Sequence, residues 1–331
     1  MKEDNTDSTT TTPPILEEVV WRDDLIRWEG GLNVDIKKKS DDGDDGDESS
    51  DDGQSFLIDP FADPDPFEMF HFDFDLPSSN NNTNQQQALD DTDNKDEVNN
   101  NNTSRSISLQ IRGYKTDAEQ IWQSTGLTLW RASHYLCEYQ VEHPELFQNK
   151  RVLELGAGLG LNGILAWRLS CTACLHDDES HVETSSSDES TSEVCITDGD
   201  SDALVHLRDN IERNRPTTTT DSTSKVSCHQ LIWGKDSSQK FLQHIAHNQK
   251  YHVLLASDII YSAVIVQPLW ETVQTLLEKE GGVFIMAYAR RKKVPVSIDL
   301  VLETAVEWGF GYELVKEDLE DGIWVYEFRF R

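Results

Sequence analysis

The stretch that most limits what this 331-residue chain can fold into is Arg151-Val-Leu-Glu-Leu-Gly-Ala-Gly-Leu-Gly-Leu-Asn-Gly163. Val152, Leu153 and Leu155 form a short apolar run that a glycine cluster stops, which reads as a buried strand. Gly156, Gly158 and Gly160 accept positive φ and let a ligand approach the main chain where a side chain would block it. Leu161 to Leu169 is apolar enough to continue as a helix. Strand, glycine turn and helix in this order build a nucleotide-type pocket at the carboxyl edge of a doubly wound sheet.

Gly158-x-Gly160-x-x-Gly163 also fits the dinucleotide fingerprint, so the ligand needs a separate argument. In a dinucleotide site the helix N-terminus receives a pyrophosphate, and the carboxylate of Glu154 just ahead of the turn would repel it. S-adenosyl-L-methionine carries a cationic amine and a sulfonium, for which an acid there is tolerable or useful. The acidic residue expected about 20 positions further on in the dinucleotide pattern falls here in polar low-complexity sequence. The residues favour a methyl donor over a nicotinamide.

A formal net charge of −32 argues against a nucleic-acid or anionic-membrane partner held by bulk charge. No apolar run approaches the roughly 18 residues of a membrane helix, and the first residues have no apolar core of a signal peptide. The expectation is a cytoplasmic or nuclear monomer with reduced cysteines and unglycosylated sequons at Asn81 and Asn101. Cys171-x-x-Cys174 has no second pair and reads as structural. The histidines show no metal-ligand spacing, so no metal is expected.

Residues 1–104 read as a low-complexity, mostly disordered acidic tail, with runs such as Asp41-Asp-Gly-Asp-Asp-Gly-Asp that bury too little apolar surface to order. Two islands interrupt it. Pro14 to Trp28 has the spacing of a short amphipathic helix, and Phe56 to Leu76 interleaves phenylalanine with aspartate, as a partner-binding motif or a linker.

Residues 105–331 are expected to fold alone. Ile107, Leu109 and Ile111 alternate as a half-buried strand, and Ala132, Tyr135, Leu136 and Tyr139 share one helical face. His176 to Glu193, almost wholly Asp, Glu, Ser and Thr, reads as a surface insertion before a second strand, Val194 to Thr197. Asp198 at the end of that strand suits two ribose hydroxyls, while Asp200 suits the N-cap of a helix carrying Ala203, Leu204, Leu207 and Ile211. Further strands are expected over 226–232, 251–257 and 282–288, and helices over 266–277 and 299–308. Tyr312 to Val315 and Ile323 to Phe330 are joined by a turn, which suits an antiparallel pair. The body is an alternating α/β sheet that ends in a hairpin.

Four blocks carry a more specific likeness: Thr125-Gly-Leu-Thr-Leu-Trp130, Val152-Leu-Glu-Leu-Gly-Ala-Gly-Leu-Gly, Trp233-Gly234 and Ala256-Ser-Asp-Ile-Ile-Tyr261. In this order they resemble the class I, seven-β-strand S-adenosylmethionine-dependent methyltransferases, and within them methyltransferase family 16, the non-histone protein-lysine methyltransferases. The resemblance covers roughly residues 105 to 331. It implies a Rossmann-like doubly wound seven-stranded sheet with a C-terminal antiparallel hairpin. It places Glu154, Gly156, Gly158 and Gly160 at the methionine end of S-adenosyl-L-methionine, Asp198 at the ribose and Trp233 against the adenine. Trp130 walls the cleft, with Ser257 on the cofactor side where the family often has a small apolar residue. Asp258 and Tyr261 match the Asp-x-x-Tyr motif of the reaction centre. The implied partner is a lysine-bearing protein.

Rival functions are a nucleic-acid methyltransferase, a small-molecule methyltransferase and a donor-binding module without catalysis. Enzymes acting on exocyclic base amines carry Asn/Asp-Pro-Pro-Tyr/Phe after the fourth strand. That place reads Ser257-Asp-Ile-Ile-Tyr261 here, without proline.

Overall fold

The structure is a computed structural model that describes residues 66–77, 105–115, 125–171, 192–216, 224–290 and 296–331. Its centre is a seven-stranded sheet of β3 (Arg151–Leu155), β4 (Glu193–Asp198), β5 (Lys225–Gln230), β6 (Val253–Ser257), β7 (Val283–Ala289), β8 (Phe310–Asp318) and β9 (Ile323–Phe330), ordered β5-β4-β3-β6-β7-β9-β8. The first five are parallel to one another, whereas β9 runs antiparallel to both β7 and β8. Among the described residues α1 (Arg131–Glu142) precedes β3, and five helices connect the strands: α2 (Leu161–Cys171), α3 (Ser201–Arg213), α4 (Lys235–His244), α5 (Val266–Leu276) and α6 (Ile298–Glu307).

Strand residues alternate between two cores, as a sheet covered on both faces requires. Val152, Val253, Leu255, Val283 and Ile285 join the core beneath α1, α2 and α3. Leu153, Leu155, Leu254, Ala256, Phe284 and Met286 join the one beneath α5 and α6. The chain steps outward from β3 through β4 to β5, then returns to β6 on the other side of β3. Such a reversal leaves a crevice at the carboxyl ends of β3, β4 and β6, where doubly wound sheets bind ligands.

The body starts before the expected boundary at residue 105. β1 (Phe67–Asp75) pairs antiparallel with β2 (Ser106–Tyr114), facing Phe70 with Ile111, Phe72 with Leu109 and Phe74 with Ile107. All six are buried in the core beneath α1, α2 and α3. The aspartates that suggested a linker, Asp73 and Asp75, sit on the solvent side of the ribbon. Burial of each phenylalanine contributes about 1.5–3 kcal/mol, which decides for a strand over a sticky tail.

The other elements follow the sequence closely. Asp200 caps α3 by accepting the Asp202 amide at 2.8 Å. Helix α4 had no expected counterpart, because its sequence Lys-Asp-Ser-Ser-Gln-Lys-Phe-Leu-Gln-His buries little beyond Ser238 and Phe241. The helix expected over Pro14–Trp28, most of the acidic insertion, and Cys174 lie outside the described residues.

Candidate active site

The glycine hinge leaves the carboxyl end of β3 with Gly156, Gly158 and Gly160 at φ of 65°, 53° and 87°. The end of β4 pins it. The Ala157 amide donates to the Thr197 carbonyl at 2.9 Å, the Gly158 amide to Asp198 Oδ2 at 2.7 Å, and the Thr197 hydroxyl to the Glu154 carbonyl at 2.6 Å. A Cβ on Gly158 would stand 2.8 Å from the Gly126 carbonyl oxygen, so this position must be glycine for segment 125–127 to close over the hinge. Gly160 serves packing instead: its Cβ would run into Leu207 of α3.

Above the hinge lies a cavity of about 710 Å3, within the usual range for small-molecule sites. Trp130, Gly156, Gly158, Asp198, Trp233, Ser257, Asp258 and Tyr261 all line it. Sequence reasoning missed several other lining residues, among them Thr125, Leu159, Asn162, Ile232, Ile265 and Pro268. Leu159 and Asn162 stand in plain view inside the hinge motif; Ile265 and Pro268 reach the cleft only through the fold of the segment after β6.

Two of the expected site residues stand behind the cavity wall. Gly160 and Glu154 are absent from the lining. Glu154 shares the face of β3 with Val152, so its side chain points under α2, where Oε2 accepts the Gly163 amide at 2.8 Å. Only glycine at 163 leaves room, since a Cβ there would collide with that oxygen. Burial pushes the Glu154 carboxyl up to about 8, against the opposing pull of the Gly163 hydrogen bond. Burial thus favours its uncharged form, which weakens the argument that Glu154 is the group that repels a pyrophosphate. The discriminating charge belongs to other residues.

Asp198, Asp200 and Asp258 line the cleft, and no lysine, arginine or histidine is among the described lining residues. Asp198 spends one oxygen on Gly158 and the other on the Asp200 amide at 2.9 Å, which leaves a carboxylate with lone pairs to spare for two hydroxyls. Burial raises its pKa.

Asp258 follows β6 with φ of 58°, held by its amide donating to the Ala287 carbonyl of β7 at 2.9 Å. Aspartate tolerates this left-handed region better than most residues. Tyr261 remains 45% exposed at the mouth, and burial, then the field of Asp198, raises its pKa, so it stays a phenol. Trp130 is fixed on the opposite wall by its indole N–H donating to the Thr125 carbonyl at 2.8 Å. Its neighbour Arg131 pairs with Asp321, and the Tyr135 hydroxyl bonds Asp318 and Asp321 at 2.6 Å each. The β8–β9 turn thereby anchors the start of α1.

This cleft fits a cationic methyl donor and suits a pyrophosphate poorly. It offers carboxylates without a compensating cation among the described lining residues, an indole at Trp233 for a base, and Gly156 and Gly158 in its wall.

Comparison with known proteins agrees. Residues 108–297, more than half of the chain, match the family described as "Lysine methyltransferase". Protein N-lysine methyltransferase METTL21A of Xenopus tropicalis is 29% identical over 190 residues, spanning 57% of this chain and 73% of the relative. EEF1A lysine methyltransferase 3 of the same organism is 26% identical over 199 residues, 60% of this chain and 72% of the relative. For protein-lysine N-methyltransferase EEF2KMT of Mus musculus the figures are 28% over 143 residues, 42% of this chain and only 36% of the relative. With its methyl-donor cleft at the carboxyl edge of a seven-stranded α/β sheet, the chain belongs to the S-adenosyl-L-methionine-dependent lysine methyltransferase family.

Proposed function

We propose that this chain methylates the ε-amine of a lysine on a non-histone protein, with Asp258 and Tyr261 at the reaction centre. The carrying observation is that these two polar side chains, both just past the carboxyl end of β6, line one cleft together with further aspartates. The named activities of the relatives support a protein acceptor. Exposed Ile232, Tyr261 and Val264 give apolar surface for a protein to rest on.

S-adenosyl-L-methionine, when bound, supplies an activated methyl group on a sulfonium. The residues of the chain supply alignment and a dry electrostatic cavity. A lysine, whose ordinary pKa is about 10.4, must lose a proton first, which costs about 4.6 kcal/mol at pH 7. Asp258 fixes the incoming ammonium and orients the amine once it is neutral. Tyr261 packs against the lysine stem and its charged head through its ring. No strong base is needed, because the proton leaves to water.

No helix among the described residues is long and apolar enough to cross a membrane. The setting proposed is a monomer that meets its acceptor in the cytoplasm or nucleus. The test incubates the purified chain with methyl-labelled donor and a lysate of cells lacking it, followed by mass spectrometry. Methyl-lysine on a protein band that appears with wild type and not with Asp258→Asn is the expected result. Label on nucleic acid or small molecules alone would overturn the reading.

A further inference from the structure

Helix α3 carries two buried asparagines one turn apart at and just past its C-terminal end, Asn210 and Asn214. Each side-chain amide behaves as a strand partner for β2. Asn210 Oδ1 accepts the Arg112 amide at 2.8 Å while Nδ2 donates to the Arg112 carbonyl at 3.1 Å. Asn214 does the same for Gln110, at 2.9 and 2.8 Å. The match is geometric. Four residues of helix advance about 6 Å and two residues of strand about 6.8 Å, so amides four apart meet strand residues two apart.

The two asparagines differ in their remaining N–H. That of Asn214 stays within α3, on the Asn210 carbonyl at 2.8 Å. That of Asn210 reaches the Leu159 carbonyl at 3.1 Å. Leu159 sits between Gly158 and Gly160 and lines the cavity. β2 touches the same residue from another side: a Cβ on Gly113 would run into Leu159 Cδ1. Strand, helix and hinge thus converge on one residue that lines the cavity.

We propose that Asn210 is a positioning residue for the methyl-donor site: by holding the Leu159 peptide against β2, it makes the β1–β2 ribbon set the affinity for the donor. The inference rests on the reading of the cleft as the S-adenosylmethionine site. It extends the site to a residue that lines none of the cavity and to a ribbon whose first strand lies far upstream of the four sequence blocks.

Asn214 provides the internal control, since it has the same bonding to β2 and no bond to the hinge. Full-length Asn210→Ala and Asn214→Ala are compared by thermal melting and by calorimetric titration with S-adenosylmethionine and S-adenosylhomocysteine. Both variants should melt lower than wild type. Only Asn210→Ala should weaken donor binding, by about tenfold, the size expected for a lost buried hydrogen bond and a loosened contact. Should Asn210→Ala not fold, Asn210→Asp against Asn214→Asp carries the same comparison, because aspartate keeps the acceptor for β2 and removes the two donated bonds. Equal shifts in donor affinity for the two positions, or none, would overturn the proposal while wild type still binds. Wild-type protein that takes neither ligand would overturn the reading of the cleft, and this inference with it.

Discussion

Glu154 and Gly163 hold each other across the start of α2: the carboxyl of one accepts the amide of the other at 2.8 Å, and the missing side chain of the second makes room for the first. Gly163 is the third residue of the helix, so its N–H is one of those that a helix leaves unpaired. The carboxyl fills that need from inside the protein. The final glycine of the hinge motif therefore accommodates a carboxyl group, and the acid of the motif supports the hinge from below.

The first prediction follows from that pair. The folded-state pKa of Glu154, about 8, lies above its ordinary value, so the folded chain binds a proton the unfolded chain releases. Its contribution is fully present below the unfolded pKa and is lost as pH rises from the ordinary carboxylate range through about 8. Glu154→Gln keeps the acceptor for Gly163 and cannot ionise. Melting curves from about pH 4 to about pH 9, which bracket that window, should show wild type losing stability relative to the variant toward the alkaline end. Donor affinity should be unchanged at pH 7. A large loss of affinity in Glu154→Gln would restore the direct contact with the donor that the sequence suggested.

That the sequence left the direction of the Glu154 side chain open has a physical explanation. The strand itself is plain from Val152, Leu153 and Leu155, and strand parity puts residue 154 on the same face as Val152. Which face looks toward the ligand depends on where α2 lands. That is a matter of packing, so the motif was legible and its direction was not. That Asp198 and Asp258 stand at strand ends was legible from local punctuation, as was the terminal hairpin. β1 shows the opposite case. Its alternation of phenylalanine and aspartate has the period of a strand, but its partner lies beyond a long polar stretch, and the charge of the surroundings masked it. Nothing local announced α4 either, since its buried face is two residues wide.

A second prediction concerns the boundary. Deleting residues 1–65 keeps β1 and its pairing with β2, and this piece is the reference for a longer deletion. Deleting 1–104 removes β1 and bares Ile107, Leu109 and Ile111. Loss of three buried phenylalanines at about 1.5–3 kcal/mol each takes away much of an ordinary domain's stability. The shorter piece should aggregate or melt far lower by calorimetry. If it melts with the full chain, the ribbon is dispensable.

Gly158→Ala is the third. The new methyl would meet the backbone oxygen of Gly126, 2.8 Å away, and the residue would keep a left-handed φ of 53°. A carbonyl in a short segment cannot swing aside as a side-chain tip does. Segment 125–127 should lift from the hinge, lowering donor affinity by at least about tenfold and stability by about 1–3 kcal/mol. Titration with S-adenosylhomocysteine and a denaturation curve check both. Wild-type affinity would mean that the segment does not need to close.

The last prediction separates the carboxylate of Asp258 from its backbone. At φ of 58° a non-glycine residue carries strain of about 1 kcal/mol or more, and the Ala287 carbonyl enforces that conformation through the Asp258 amide. Asp258→Asn preserves size and tolerance of the left-handed region but removes the charge. Asp258→Gly removes both charge and strain. Neither change touches the amide, so both variants should fold, Asp258→Gly should not melt lower than wild type, and the two should bind donor equally well, so that turnover is compared at saturating donor. Turnover is another matter, because the lysine head would lose the anion that fixes it near the donor. Labelling of protein acceptors should fall about a hundredfold in both variants, within the range for loss of one electrostatic contact at a reaction centre. Equal loss in the two would assign the effect to the carboxylate. A full labelling rate in Asp258→Asn would place the ammonium elsewhere, and a loss confined to Asp258→Gly would make the strained backbone, rather than the charge, the feature that catalysis needs.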